Sequence, residues 1–242
     1  MLEKIEKYQL LLSAALISIS LLIAITFATI KLVKNDGITV TGSAYKIVTS
    51  DSASLNFYIN YKAPNKTEAY NQITKQYPII NDYLSNAGIK QEDIEYKAIN
   101  GYYTYKQTVN GYNTNIPEYY NLTQGVQIKS NDVQKIKSVA KDIQSLITKG
   151  VDLNINEPQY YYSDLSLIKV ELLEQATIDA KQRAKAMLKA TGDRVGQIQS
   201  VKMGVFQITP VNSTNVSNMG ISDTSTIEKK VTAVANVVFK VN

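Results

Sequence analysis

The sequence predicts an α+β domain, with helices packed on one face of largely antiparallel sheets and one transmembrane helix in front of it. Three observations carry that expectation. Several segments alternate apolar and polar residues with a period of two, the mark of half-buried strands, and others repeat every three to four residues, the mark of amphipathic helices. Strand pairs interleave with single helices in the order ββα-ββα-β-α-ββ, which suits helices layered on antiparallel sheets. Ahead of all these, the run from Leu10 to Ile30 holds no charge.

That run spans 21 residues, about 31 Å as a helix, which matches the bilayer core. It contains twelve Leu, Ile or Phe, each favouring insertion by about 0.3–0.6 kcal/mol. Its Ser and Thr hydroxyls, at positions 13, 18, 20, 26 and 29, can bond back to helix carbonyls. A cleaved signal peptide is the alternative, but its apolar core should be shorter and end at a small-x-small site; Thr26-Phe27-Ala28 is a poor one. Lys4 and Lys7 before the run balance Lys31 and Lys34 after it, so only the free N-terminus tips the head inward. The expected organisation is a short head and signal anchor over 1–34 and an exported domain over 35–242. The expected location is a membrane, single-pass, with the C-terminal domain on the exported side.

Within the domain, residues 37–48 read as a strand in which Ile38 and Val40 share a face and Gly42 invites a bulge or close backbone approach. Ala53, Leu55, Phe57, Ile59 and Tyr61 then alternate with polar residues as a second strand. Ala69, Ile73, Tyr77, Ile80, Leu84 and Ala87 form one helical stripe. Pro64 suits its first turn, Gly88 its left-handed end, and Pro78 predicts a kink inside it. Residues 93–107 and 118–129 read as two strands joined by a polar loop around Asn110-Gly111, the second carrying Leu122, Val126 and Ile128 on one face. Ser130-Asn131-Asp132 opens a helix with Val133, Ile136, Val139, Ala140, Ile143 and Ile147, closed at Gly150. Residues 151–162 read as one further strand.

Asp164 caps the longest helix, whose stripe is Leu165, Ile168, Leu172, Ala176, Ala180, Ala184, Met187 and Leu188 up to Gly192. Its alanines four apart would let it lie close on a sheet. A strand over 195–208 follows, then a polar loop over 210–225, long enough to be mobile or functional. The last strand alternates Ile227, Val231, Ala233, Ala235, Val237, Phe239 and Val241. Reached through that loop, it could pair with a neighbouring subunit.

Composition removes whole classes of chemistry. With no Cys and no His among 242 residues, disulfides, thiol nucleophiles, zinc–thiolate sites and imidazole acid/base catalysis are all excluded. Residues 1–34 hold four Lys and two acids, so the remainder carries 22 basic and 19 acidic groups, a net of +3. With only Arg183 and Arg194 as arginines, no nucleic-acid face is expected.

The remaining catalytic and metal motifs are weak. Ser-x-x-Lys occurs at Ser43/Lys46, Ser138/Lys141 and Ser166/Lys169, close to chance, without the companion motifs that such catalysis needs. Asp152, Asn154 and Asn156 copy the start of a calcium loop, but Glu157 stands where Gly is needed and Ser163 where Glu is. Gly37 and Gly42 have phosphate-loop spacing but lead into Ser43 and a strand. Glu92, Asp93 and Glu95 are close carboxylates at a turn, expected to be solvated. Sequons at Asn65, Asn121, Asn212 and Asn215 are near chance, and no glycosylation is expected. No catalytic residue, cofactor or metal is assigned.

The unusual feature is tyrosine, 17 in all. Tyr102, Tyr103, Tyr105, Tyr112, Tyr119 and Tyr120 cluster in one segment, and Tyr160-Tyr161-Tyr162 form a run. Consecutive strand residues point to opposite faces, so some of these rings must face away from a core. Tyr102, Tyr103, Tyr105, Tyr112, Tyr119 and Tyr120 are therefore the candidate partner-binding surface, for a protein or a glycan.

Ile38-Thr-Val-Thr-Gly42 with Asp51-Ser-Ala53, Ala87-Gly-Ile89 with Asp93-Ile94, Gly111-Tyr112, Ala176-Thr-Ile-Asp-Ala180-Lys-Gln-Arg-Ala184, Thr191-Gly192 and Gly196-Gln-Ile198 together resemble the SIMPL domain family of bacterial envelope proteins. The resemblance covers nearly all of the domain. Family members often have Pro before the Asp of the first turn, where Ser50 stands here, and the Tyr-rich stretch 102–120 is particular to this chain. The resemblance implies an exported α+β domain, and some relatives assemble into ring- or channel-like oligomers; it supplies no catalytic residues. The resulting expectation is a non-enzymatic, membrane-anchored envelope protein that self-associates as a homo-oligomer. It would be single-pass in the inner membrane with its C-terminal domain in the periplasm, its candidate partner an envelope protein or glycan. Cleavage of the N-terminal segment would instead leave it free in the periplasm or associated with the outer membrane. The alternatives are a ligand- or partner-binding module using the tyrosine surface and, last, a hydrolase working without His or Cys.

Overall fold

The computed structural model describes residues 13, 15–26 and 37–242. Residues 15–26 are helical, and hydroxyls do bond back to carbonyls there: Ser20 Oγ donates to Ile17 O at 2.8 Å and Thr26 Oγ1 to Leu22 O at 3.0 Å. The rest of the expected anchor lies outside the described residues. Among the described residues no helix is long and apolar enough to cross a membrane.

Beyond this segment the fold is α+β with antiparallel sheets, and it divides into two units. One takes in the described residues as far as Ala44 with Glu171–Gly204 and Ala233–Asn242; the other takes in Tyr45–Val170 and Val205–Thr232.

The larger unit is built on a sheet of order β3-β4-β2-β5, with β6 pairing β2 beside β5. Its strands are β2 (Ser52–Ala63), β3 (Ile94–Gln107), β4 (Asn113–Ser130), β5 (Asp152–Ile155) and β6 (Gln159–Tyr161). The inward set of β2, Ala53, Leu55, Phe57 and Ile59, is buried as its alternation requires. It packs with Leu122, Val126 and Ile128 of β4 and with the apolar stripes of the helices in one core.

The stripe over 69–87 forms two helices, α1 (Lys66–Thr74) and α2 (Tyr77–Asn86), not one kinked helix. Pro78 lies in the first turn of α2, where its missing N–H costs nothing; inside a continuous helix its ring would clash with the carbonyl four residues back. Pro64 stands before the cap rather than in the first turn, because Asn65 caps α1 by accepting from Glu68 N at 2.9 Å. Gly88, at φ +77°, closes α2 as expected, with Ile89 N donating to Leu84 O at 2.9 Å.

Asp132 caps α3 (Val133–Asp142) by accepting from Lys135 N at 2.9 Å. The chain then tightens into a 3-10 helix, Ile143–Lys149, ending at Gly150 with φ +83°. The tightening moves the buried position from the expected Ile147, which is exposed, to Leu146, three residues after Ile143. The expected strand over 151–162 breaks into β5 and β6 around Pro158, which has no N–H to offer a ladder.

In the smaller unit, β7 (Val195–Met203) pairs antiparallel with the end of β10 (Glu228–Val241), Ala235 opposite Met203 and Val241 opposite Val195. β1 (Gly37–Thr49) is a neighbour of β10, and Thr41 Oγ1 donates to Asn236 Oδ1 at 2.6 Å. The long helix α4 (Leu165–Lys189) buries Leu172, Ala176, Ala180, Ala184 and Leu188, all four apart; Met187 is exposed. Its alanines allow the close approach the sequence predicts. A Cβ on Gly42 would stand 2.1 Å from Ala176 O and 2.4 Å from Ala180 N. Asp179 fixes the contact from its side, accepting from Ser43 N and from Arg183 Nε, each at 2.8 Å.

Back in the larger unit, the expected strand over 195–208 is interrupted, and β8 (Gln207–Pro210) forms a separate strand. β8 pairs antiparallel with the start of β10, Val231 opposite Ile208, and parallel with β9 (Ile221–Ser222). The long polar loop is therefore partly structured. The Gln207 side chain also holds it, donating to Ser217 O at 2.7 Å and accepting from Ser217 N at 3.3 Å. β10 finds its partners in its own chain, so exchange between subunits is not needed to complete its ladder.

Candidate interaction surface: the tyrosine hairpin

β3 and β4 form a long antiparallel hairpin whose pairing continues past the core, Tyr102 opposite Asn121, Tyr103 opposite Tyr120, Thr104 opposite Tyr119 and Tyr105 opposite Pro117. β4 starts at Asn113, five residues earlier than the sequence suggests. The turn is held by Thr108 N donating to Tyr112 O at 2.8 Å and by Tyr112 N donating to Thr108 Oγ1 at 3.1 Å. Gly111 takes the left-handed conformation there, φ +80°.

The rings divide between two faces, as alternation requires. On the face shared with the helices, Tyr120 is buried among core residues. Tyr103 packs edge-on against it at 4.8 Å between centroids, and Tyr105 follows at 6.5 Å from Tyr103. On the other face lie Tyr102 and Tyr119, the latter half-buried beneath the Lys62 ammonium, 5.2 Å from its centroid. Thr104 and Asn121 join this face through a 2.7 Å bond from Asn121 Nδ2 to Thr104 Oγ1. Tyr102 is 67% exposed and Tyr112, at the turn, 74%. Of the six expected surface tyrosines, Tyr120 is thus a core residue: it shares the parity of Leu122, Val126 and Ile128, and so their face.

Beside the hairpin, on the helix-bearing face, lies a cleft of about 500 Å3 whose walls include Lys66, Thr67 and Tyr70 of α1 and Asn100, Gly101 and Tyr120 of the sheet.

Other tyrosines are structural. Tyr96 donates to Asn81 Oδ1 at 2.8 Å and Tyr77 to Gln124 Oε1 at 2.7 Å, with the two rings 4.8 Å apart. Burial, with Tyr77 alongside, pushes the Tyr96 phenol up to about 12. In the run at 160–162, Tyr160 is buried and its phenol raised by that burial, while Tyr161 is exposed and bonds Gln159.

The weaker candidates are dispersed. Ser43 lies on β1 and Ser138 and Lys141 on α3; Lys169 sits over the Phe206 ring at 5.4 Å. Asp152 and Asn154 face Asn60 and Tyr58 in the β5–β2 ladder. No group of three acids or other ligating side chains is placed to hold a metal ion among the described residues. Glu92 and Glu95 are exposed at the start of β3 and meet Lys90 and Lys97. The hydrogen bond from Lys97 lowers the Glu95 carboxyl.

Sequence reasoning missed one buried ion pair. Lys229 is 2% exposed and donates to Asp223 O at 2.8 Å, Thr226 O at 2.6 Å and Asp223 Oδ2 at 3.3 Å. Asp223 also accepts from Ser225 N at 3.0 Å, from Ser225 Oγ at 2.7 Å and from the Thr226 hydroxyl. Parity was the available signal, since Lys229 shares the face of Val231 and Ala233.

These features define a mixed α+β domain with antiparallel sheets and a surface hairpin rich in tyrosine. The chain belongs to the SIMPL family: the family model, described as a protein of unknown function (DUF541), matches residues 38–239. No curated protein matches the chain.

Proposed function

We propose that this SIMPL-domain protein is a non-enzymatic, membrane-anchored envelope protein that works by recognition, with the tyrosine hairpin as its contact surface. The observation that carries this reading is the two-sided exposure of the hairpin beyond the core. From Gly101 to Glu118 no residue is buried, although the stretch holds Tyr102, Tyr103, Tyr105, Tyr112 and Ile116. Exposed rings with polar tips supply contact area at low entropic cost, which is why tyrosine is enriched at interfaces. Anchoring is supported by the uncharged run from Leu10 to Ile30, and an exported location by the family resemblance.

Self-association is a second reading, favoured by a specific feature. β3 stands at the end of its sheet order, and an edge strand presents backbone N–H and C=O groups to a further strand.

The triple replacement Tyr103→Ser, Tyr105→Ser and Tyr119→Ser tests the first reading in the full-length chain. Retention of the detergent-solubilised protein on washed, membrane-free envelope material should fall by about tenfold or more, as loss of interface aromatic anchors does, with the melting temperature changed by a few degrees at most. Unchanged retention with a large loss of melting temperature would return these rings to a purely structural role.

A further inference from the structure

The cleft beside the hairpin suggests what is recognised. Its volume of about 500 Å3 falls within the roughly 300–1,000 Å3 of small-ligand sites. One wall is the start of α1, with the Lys66 ammonium, the Thr67 hydroxyl and the Tyr70 ring; Gly101 and Tyr120 form the floor. The floor is built for an aromatic ring. Gly101 has no side chain where a Cβ would stand 2.6 Å from both Cε1 and Oη of Tyr120, so the ring lies directly on the β3 backbone. From Tyr120 the row of rings leaves the cleft through Tyr103 and Tyr105.

The chemistry of this face selects among partners. A peptide docking as a strand would take the free edge of β3, in the plane of the sheet, whereas Tyr103 and Tyr105 stand on the face that Tyr120 shares, out of that hydrogen-bonding line. A membrane surface would ask for a broad apolar patch or a cluster of cations, and the cleft offers one lysine. A sugar ring has apolar C–H faces that stack on aromatic rings, and hydroxyls that need donors and acceptors at its rim. Tyr70, Tyr103 and Tyr105, all exposed, provide the first; Lys66, Thr67 and the phenol tips provide the second.

We infer that the cleft and its aromatic row bind a glycan strand, one sugar seated against the Tyr70 ring beside Gly101 and its neighbours running over Tyr103 and Tyr105. The inference rests on the recognition reading above and narrows it to a ligand class.

The test is calorimetric titration of the full-length protein, in micelles of a detergent without sugar headgroups. The probes are chitotetraose, cellotetraose and trigalacturonate. Because the chain has no Trp, tyrosine emission gives an independent readout. At least one oligosaccharide should bind saturably. Tyr70→Ala and Lys66→Ala, both at exposed positions, should each weaken it by about tenfold, whereas Tyr161→Ser, exposed but outside both cleft and hairpin, should leave it unchanged. Absence of saturable binding by all three probes, or equal affinity in the cleft variants, would overturn the inference. Binding of a proline-rich peptide or of anionic phospholipid vesicles in place of the sugars would also overturn it, while leaving the hairpin as a recognition surface. Sugar binding that persists while the triple serine variant keeps its envelope retention would sustain the cleft and defeat the broader reading.

Discussion

Replacing Gly42 by valine should destabilise the protein by at least about 3 kcal/mol, because the added atoms meet backbone rather than movable side chains. The nearest obstacles are Ala176 O at 2.1 Å and Ala180 N at 2.4 Å. Carbonyl and amide groups inside a regular helix cannot step aside without breaking its ladder. α4 would have to lift from β1, exposing Ala176, Ala180 and Ala184, all fully buried. Ser43 N would then lose Asp179. Circular dichroism should show a fall in melting temperature of roughly 6–12 °C or more for a chain of this size. A change of only a degree or two would mean that the helix does not approach this closely.

The second large effect is expected at the buried ion pair. Lys229→Met keeps much of the side-chain volume but leaves the Asp223 carboxylate, 9% exposed, without its cation. Breaking a buried pair from one side costs about 3–5 kcal/mol. Burial alone would raise the Asp223 carboxyl. Hydrogen bonds from Thr226 and Ser225, with the Lys229 ammonium, outweigh it and hold the carboxyl down at about 2 against an ordinary 3.8. Burial pushes Lys229 down, and Asp223 offsets this only in part. A carboxyl lowered on folding adds stability above its unfolded value and loses it as pH falls through the folded one. The Asp223 contribution, about 2 kcal/mol, should thus be complete above about pH 4 and vanish toward pH 2. Denaturant melts across that range should show a slope that Asp223→Asn lacks. Parallel pH profiles in the two proteins would contradict the assignment.

The parts of the fold legible in the sequence are those where one physical rule acts alone. β2 buries Ala53 to Ile59 and β10 buries Val231 to Phe239 at the alternate positions marked, and Gly88, Gly150 and Gly192 take the positive φ that helix ends favour. Reading failed where two rules competed. The apolar stripe over 69–87 continues past Pro78, and periodicity alone favours one helix; the proline ring makes two. Pro158 similarly divides a stretch whose alternation looks continuous. The loop over 210–225 looks mobile from its polarity, yet the Gln207 amide and β9 hold it through contacts that no local pattern encodes. Tyr120 was misplaced and Lys229 overlooked for a shared reason. Residue type argued for the surface, and strand parity, which put both on the core face, was the better guide.

The tyrosine cluster was visible in composition, but not how it divides. Only the register of β3 and β4 sets Tyr103 and Tyr105 on one face and Tyr102 and Tyr119 on the other. The cleft was not legible, because its walls come from α1 and from a hairpin more than thirty residues further along the chain.

The claim at the centre of this account is that the hairpin tyrosines are covered by a partner where the protein works. Tyrosine nitration, read by peptide mass spectrometry on the purified chain and on the chain in its intact envelope, tests it directly. Tyr102, Tyr105 and Tyr112, all exposed, should react readily in the purified protein, and Tyr160, 5% exposed, should not. In the envelope the three exposed rings should be protected by about tenfold, as expected where an interface excludes solvent from its aromatic anchors. Equal reactivity of Tyr102, Tyr105 and Tyr112 in both settings would contradict the account, since it would leave the hairpin as bare in place as it is alone.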